Sequence, residues 1–66
     1  MQIQLNGAAQ EVPAETTVAD LLQTLNLDPR TLAVERNQQL VPRGQHQTTQ
    51  LQAGDAVEIV TLVGGG

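Results

Sequence analysis

The chain has no cysteine, no phenylalanine, tyrosine or tryptophan, and no lysine. Without cysteine there are no disulfides and no side-chain thiolate chemistry. Without aromatics, any core must be built from Leu, Val, Ile and Ala, which predicts a compact fold of modest stability. A single histidine, His46, and a single methionine, Met1, argue against a metal site. The only basic side chains are Arg30, Arg36 and Arg43, and the net charge is −4. That balance argues against nucleic acid, which selects clustered Lys and Arg, and suits a protein partner with a basic surface. No signal peptide or apolar run of about 18 residues is present, so a soluble cytoplasmic protein with no membrane contact is expected. Sixty-six residues make one small domain.

What is present is strongly patterned. Residues 1–5 alternate apolar and polar, which predicts a half-buried strand with Met1, Ile3 and Leu5 inward. Asn6-Gly7 is a strong hairpin signal, and residues 8–13 form the returning strand, anchored by Val12. A two-residue turn would set Gln10 beside Ile3 on the inner face, so the register is left open to a bulge or a longer loop. Thr17 is the expected helix N-cap, with Asp20 as its capping-box partner. Val18, Leu21, Leu22 and Leu25 then fall on one stripe of a helix of two to three turns. Residues 26–29 end it, because Pro29 disfavours helix at the residue before it.

Residues 31–36 read as a third strand, with Leu32 and Val34 on one face and Ala33 and Glu35 on the other. Residues 37–39 turn, and residues 40–42 form a short strand near an edge because of Pro42. Residues 44–52 are polar and irregular, with Leu51 as core anchor. Residues 53–55 turn again, and Asp55 reads as a turn former. The final strand, residues 56–63, turns Val57 and Ile59 toward the helix. Glu58, Val60 and Leu62 share the opposite face, where an exposed Val60-Leu62 pair is a candidate docking patch. Arg43, Asp55, Glu35 and Glu58 read as solvated charges, with rim contacts as the alternative. His46 reads as a loop residue, since it has no evident nucleophile to serve. The order strand, strand, helix, strand, short strand, strand predicts an α+β fold in which one main helix crosses one face of a mixed sheet.

The strand ends in Gly64-Gly65-Gly66. Glycine has no Cβ, so such a tail threads where any other residue would clash. Residues 1–63 are expected to form the domain and 64–66 a flexible tail. At roughly 3.3 Å per extended residue, the reach from Val63 is about 13 Å.

Several segments together carry a family likeness: Ile3-Gln4-Leu5-Asn6-Gly7, Thr17-Val18-Ala19-Asp20-Leu21-Leu22, Ala33-Val34 leading to Asn37-Gln38-Gln39-Leu40-Val41-Pro42-Arg43, and Gly54-Asp55-Ala56-Val57-Glu58-Ile59-Val60 running into the glycine end. The chain resembles the ThiS family, the ubiquitin-like sulfur carriers of thiamin biosynthesis. Two positions depart from the family pattern. His46 stands where an aromatic residue, typically Trp, is common, and Arg36 where an apolar strand residue is common.

The resemblance implies a β-grasp (ubiquitin-like) fold whose first and last strands lie parallel at the centre. It also implies that the protein is a co-substrate rather than an enzyme. The Gly66 carboxylate would be adenylated by an E1-like enzyme of ThiF type using ATP. A partner's persulfide would convert it to a thiocarboxylate, and the sulfur would pass to a thiazole synthase of ThiG type. Gly64 and Gly65 would supply the thin tail, and Val60, Leu62 and Glu58 the docking face. The carrier itself would bind no cofactor. The alternatives are the small subunit of molybdopterin synthase, a ubiquitin-like modifier using the same tail, and a structural module in which the glycines are incidental.

Overall fold

A computed structural model describes residues 1–62. Five strands, β1 (Gln2–Leu5), β2 (Ala8–Glu11), β3 (Leu32–Arg36), β4 (Gln39–Val41) and β5 (Ala56–Thr61), form one sheet in the order β2-β1-β5-β3-β4. β1 and β5 are parallel and every other pairing is antiparallel. The single α-helix, α1 (Val18–Thr24), supplies Val18, Leu21 and Leu22 to the core. There they meet Ile3, Val34, Leu51 and Val57, each no more than 2% exposed. The expected α+β layout, with β1 beside β5 at the centre, is therefore the observed one.

Local chemistry sets each boundary. Thr17 caps α1 and Asp20 completes the capping box, each accepting the other's backbone N–H at 3.1 Å. The helix ends earlier than Pro29 requires. Asn26 adopts φ 58, and the Leu27 N–H reaches back to the Leu22 carbonyl at 2.9 Å, a left-handed cap that stops the helix after two turns. Pro29 instead opens a 3₁₀ turn, Pro29–Thr31, capped by Asp28.

Two tight hairpins frame the sheet. Asn6 (φ 49) and Gly7 (φ 82) make a two-residue turn, so Leu5 pairs with Ala8 and Ile3 with Gln10. No bulge intervenes. Gln10 does face inward beside Ile3, and it is tolerated because it sits at the half-buried sheet edge. The returning strand ends at Glu11, and Val12 seals the core just beyond it, its N–H bonded to the Met1 carbonyl at 2.9 Å. Asn37 (φ 52) and Gln38 (φ 70) make the second turn, and Gln39 already belongs to β4.

Both turn asparagines also hold the central strand. Asn6 Oδ1 accepts from the Ile59 N–H at 2.8 Å, and Asn37 Oδ1 accepts from the Ala56 N–H at 2.9 Å. The β1–β5 pairing covers only Gln4–Ala56 and Leu5–Val57, so the Asn6 side chain extends that ladder where the backbone of β1 has turned away. Asn6→Ala removes this bond and leaves, at positive φ, a residue without the short polar side chain that tolerates that conformation. It is expected to cost about 1–2 kcal/mol, read from the urea midpoint. An unchanged midpoint would mean that the side-chain bond does not tie β5 down.

Candidate functional site

β5 divides its side chains as period two requires. Val57 is buried and Ile59 packs on the core, while Glu58 and Val60 face away from the helix; the strand ends at Thr61, short of the expected residue 63, and Leu62 follows just beyond it, exposed. Val60 is 52% and Leu62 54% exposed. The neighbouring strand extends the patch, because Ala33 lies directly opposite Val60 and Glu35 directly opposite Glu58. On β4, Leu40 pairs with Glu35 and is 64% exposed. Leu40 is missing from the sequence-derived patch. Its outward position was legible, since Val41 is inward and adjacent residues of a strand alternate.

The electrostatics of this face are unusual. Glu35 and Glu58 are a like-charge pair on adjacent strands, an arrangement that weakens a sheet. Neither forms an ion pair among the described residues, where Arg30 is engaged with Asp28 and Arg36 with Asp55. An apolar strip flanked by two uncompensated carboxylates is complementary to a surface that is apolar and basic. The strip lies along the strand that leads to the tail. The Leu62 N–H is still held, by the Thr31 carbonyl at 2.8 Å. Gly64, Gly65 and Gly66, expected to form the tail, lie outside the described residues, as does the expected boundary at residue 63.

Asp55 is neither a rim charge nor only a turn former. It is 6% exposed and accepts from Arg36 Nε at 2.7 Å, Asn37 Nδ2 at 3.1 Å and the Gln52 N–H at 2.7 Å. Burial pushes its carboxyl pKa up. The hydrogen bonds from Arg36, Gln52 and Asn37, with the charge of Arg36, outweigh burial and hold it below its ordinary value. This pairing accounts for Arg36 at a position expected to be apolar, and sequence reasoning did not find it because the partners are distant along the chain. Arg43 lies in an exposed 3₁₀ turn, Arg43–Gln45. His46 is a buried structural residue, 5% exposed, with Nε2 bonded to the Val41 carbonyl at 3.1 Å. Among the described residues no group of His, Cys, Asp or Glu could hold a metal, and no helix is long and apolar enough to cross a membrane.

Comparison with known proteins gives the family. The chain matches the ThiS family over residues 3–66. It is 42% identical over its whole length to a thiazole synthase of Magnetococcus marinus, but spans only one fifth (20%) of that protein. It is 35% identical to the sulfur carrier protein ThiS of Bacillus subtilis, covering 97% of this chain and 98% of the relative. The crystal structure of a thiamine biosynthesis protein (ThiS) from Geobacter metallireducens superposes with a TM-score of 0.87 at 30% identity, covering both chains completely. A β-grasp sheet crossed by one helix, an exposed strip on the strand leading to a triple glycine, and these matches agree: the chain belongs to the ThiS family.

Proposed function

We propose that this chain is a sulfur carrier of thiamin biosynthesis, a protein co-substrate rather than an enzyme, and that its working group is the α-carboxylate of Gly66. The observation that carries the proposal is the match to ThiS over 3–66, and the exposed Val60–Leu62 strip supplies it with a docking face. Asp55 and the Nε2 of His46 are engaged in structural hydrogen bonds.

A free carboxylate is a poor acyl donor because oxide would have to leave. Attack of the Gly66 carboxylate on the α-phosphorus of ATP, held by an E1-like enzyme of ThiF type, expels pyrophosphate and gives an acyl adenylate. The terminal sulfur of a partner's persulfide then displaces AMP at the carbonyl carbon. A second thiol, from the partner or a thiol reductant, then attacks the partner-side sulfur of this acyl disulfide; the S–S bond breaks, a new disulfide forms on the attacking thiol and the partner's sulfur, and the thiocarboxylate leaves. A thiazole synthase of ThiG type takes up that sulfur. The thiazole synthase relatives, in which a segment like this chain occupies one fifth of the length, support that partner.

The docking face is tested by Val60→Asp. A carboxylate in the centre of the strip would be desolvated beside Glu58 on the same strand, at a cost of about 2 kcal/mol or more at an interface anchor. The KM of the activating enzyme for the carrier is expected to rise at least about tenfold, with little change in melting temperature because the site is exposed. An unchanged KM would remove the strip from the interface.

A further inference from the structure

The sheet edge opposite β4 carries unpaired backbone groups beside a cleft. β2 is an edge strand, paired only with β1. The mutual bonds of Met1 and Val12, at 2.7 and 2.9 Å, fix the alternation of the hairpin. Ala8, Gln10 and Val12 bond inward to β1, so the N–H and C=O groups of Ala9 and Glu11 point outward. Edge strands are ordinarily guarded by lysine, proline or a bulge. β4, the opposite edge, has only three residues and runs into Pro42. β2 has no lysine, proline or bulge within its four residues; its one charge is Glu11, and Pro13 comes two residues after its end.

Beside this edge runs a cleft between the end of β2 and α1, with Val12, Pro13, Leu21 and Leu25 among its walls. Its loop is preformed: Thr16 Oγ1 donates to the Pro13 carbonyl at 2.6 Å, and the capping box fixes the start of the helix. Its charge is one-sided. Glu11, Glu15 and Asp20 lie on it, and no arginine does. The only cation bonded to any of them among the described residues is the Met1 ammonium, 3.1 Å from Glu11.

We propose that the β2 edge and this cleft bind an extended basic segment of a partner protein. The segment adds to the sheet as a further strand, lodges an aliphatic side chain against Val12, Leu21 and Leu25, and sets flanking Arg or Lys against Glu15 and Asp20. Main-chain bonds give such a complex its affinity and the side-chain cleft its selectivity. β2 is at the opposite sheet edge from Leu40, and the cleft is on the helix side, away from Val60 and Leu62. Occupancy here therefore leaves the strip on β5 free, and the surface does not depend on the sulfur-carrier proposal.

The test is a titration of the ¹⁵N-labelled 66-residue chain with the blocked peptide acetyl-Arg-Val-Leu-Val-Arg-amide and with its twin carrying Glu in place of both Arg. Saturable amide shifts are expected at Ala9, Glu11, Glu15, Leu21 and Leu25 and not at Val60 or Leu62. The acidic twin should bind at least about tenfold more weakly, because like charges meet. Glu15→Gln should weaken binding of the basic peptide about two- to fivefold, the range of one exposed ion pair. Ala9→Pro, which removes an outward donor without touching the β1 ladder, should abolish it. Absence of saturable shifts, shifts centred on Val60 and Leu62, equal binding of the two peptides, or undiminished binding by Ala9→Pro would overturn the proposal.

Discussion

Asp55→Ala is expected to destabilise the fold by about 3 kcal/mol, the cost of breaking a buried, hydrogen-bonded ion pair from one side. The loss has three parts. The Gln52 N–H loses its acceptor at 2.7 Å, Asn37 loses a partner at 3.1 Å, and Arg36 is left half-sheltered without its counter-charge. Asp55 also stands at the entry to β5, between the Gly54 turn (φ +87) and Ala56. Its loss therefore loosens the strand that carries the exposed strip. The urea midpoint reads the effect. A loss below about 1 kcal/mol, ordinary for a surface position, would contradict it.

The same residue gives a pH dependence of definite sign. The Asp55 carboxyl is held below its ordinary value of 3.8 in the folded chain. The unfolded chain therefore binds the proton first as pH falls. The stabilisation is fully present above the unfolded carboxylate value and is lost as pH drops through the lower folded one. Asp55→Asn should flatten that acid limb while leaving the side-chain volume in place.

Gly66→Ala and Gly65→Ala are each expected to cut kcat/KM for adenylation at least about a hundredfold, the scale of a small misplacement at a reacting centre. On the proposed chemistry the carboxylate must reach ATP inside the activating enzyme, along a channel narrow enough to exclude water. A methyl group on either residue widens the chain where it must be thinnest and restricts the backbone angles that glycine leaves open. The melting temperature is expected to stay at the parent value, which separates a loss of adenylation from a loss of fold. ATP–pyrophosphate exchange measures the step. Exchange at the parent rate in either variant would contradict the role given to the tail.

Much of the fold was legible because its signals are local. The alternation of residues 1–5, the Asn6-Gly7 turn, the Thr17–Asp20 capping box and the apolar stripe of α1 each specify a structure within a few residues, and all four are observed. The same period of two separated Val57 and Ile59 from Glu58, Val60 and Leu62. Other features were not legible because they join distant segments. The Arg36–Asp55 pair spans nineteen positions and the Asn6–Ile59 bond fifty-three. The confrontation of Glu35 with Glu58 depends on a β3–β5 register that neither strand encodes alone. The helix end illustrates a competition between signals. Pro29 is the louder breaker in sequence, but Asn26, three residues before it, already adopts the left-handed conformation, and α1 has ended at Thr24.

The central claim is that the α-carboxyl of Gly66 is the group that carries sulfur. Its most direct test is the intact mass of the chain after incubation with ATP, a persulfide donor and its activating enzyme. The proposed chemistry gives a product heavier by the difference between one sulfur and one oxygen, located at residue 66, and no product from a chain blocked there as an amide. An unchanged mass, an adduct joining the chain to another protein, or the same gain in the amidated chain would contradict it.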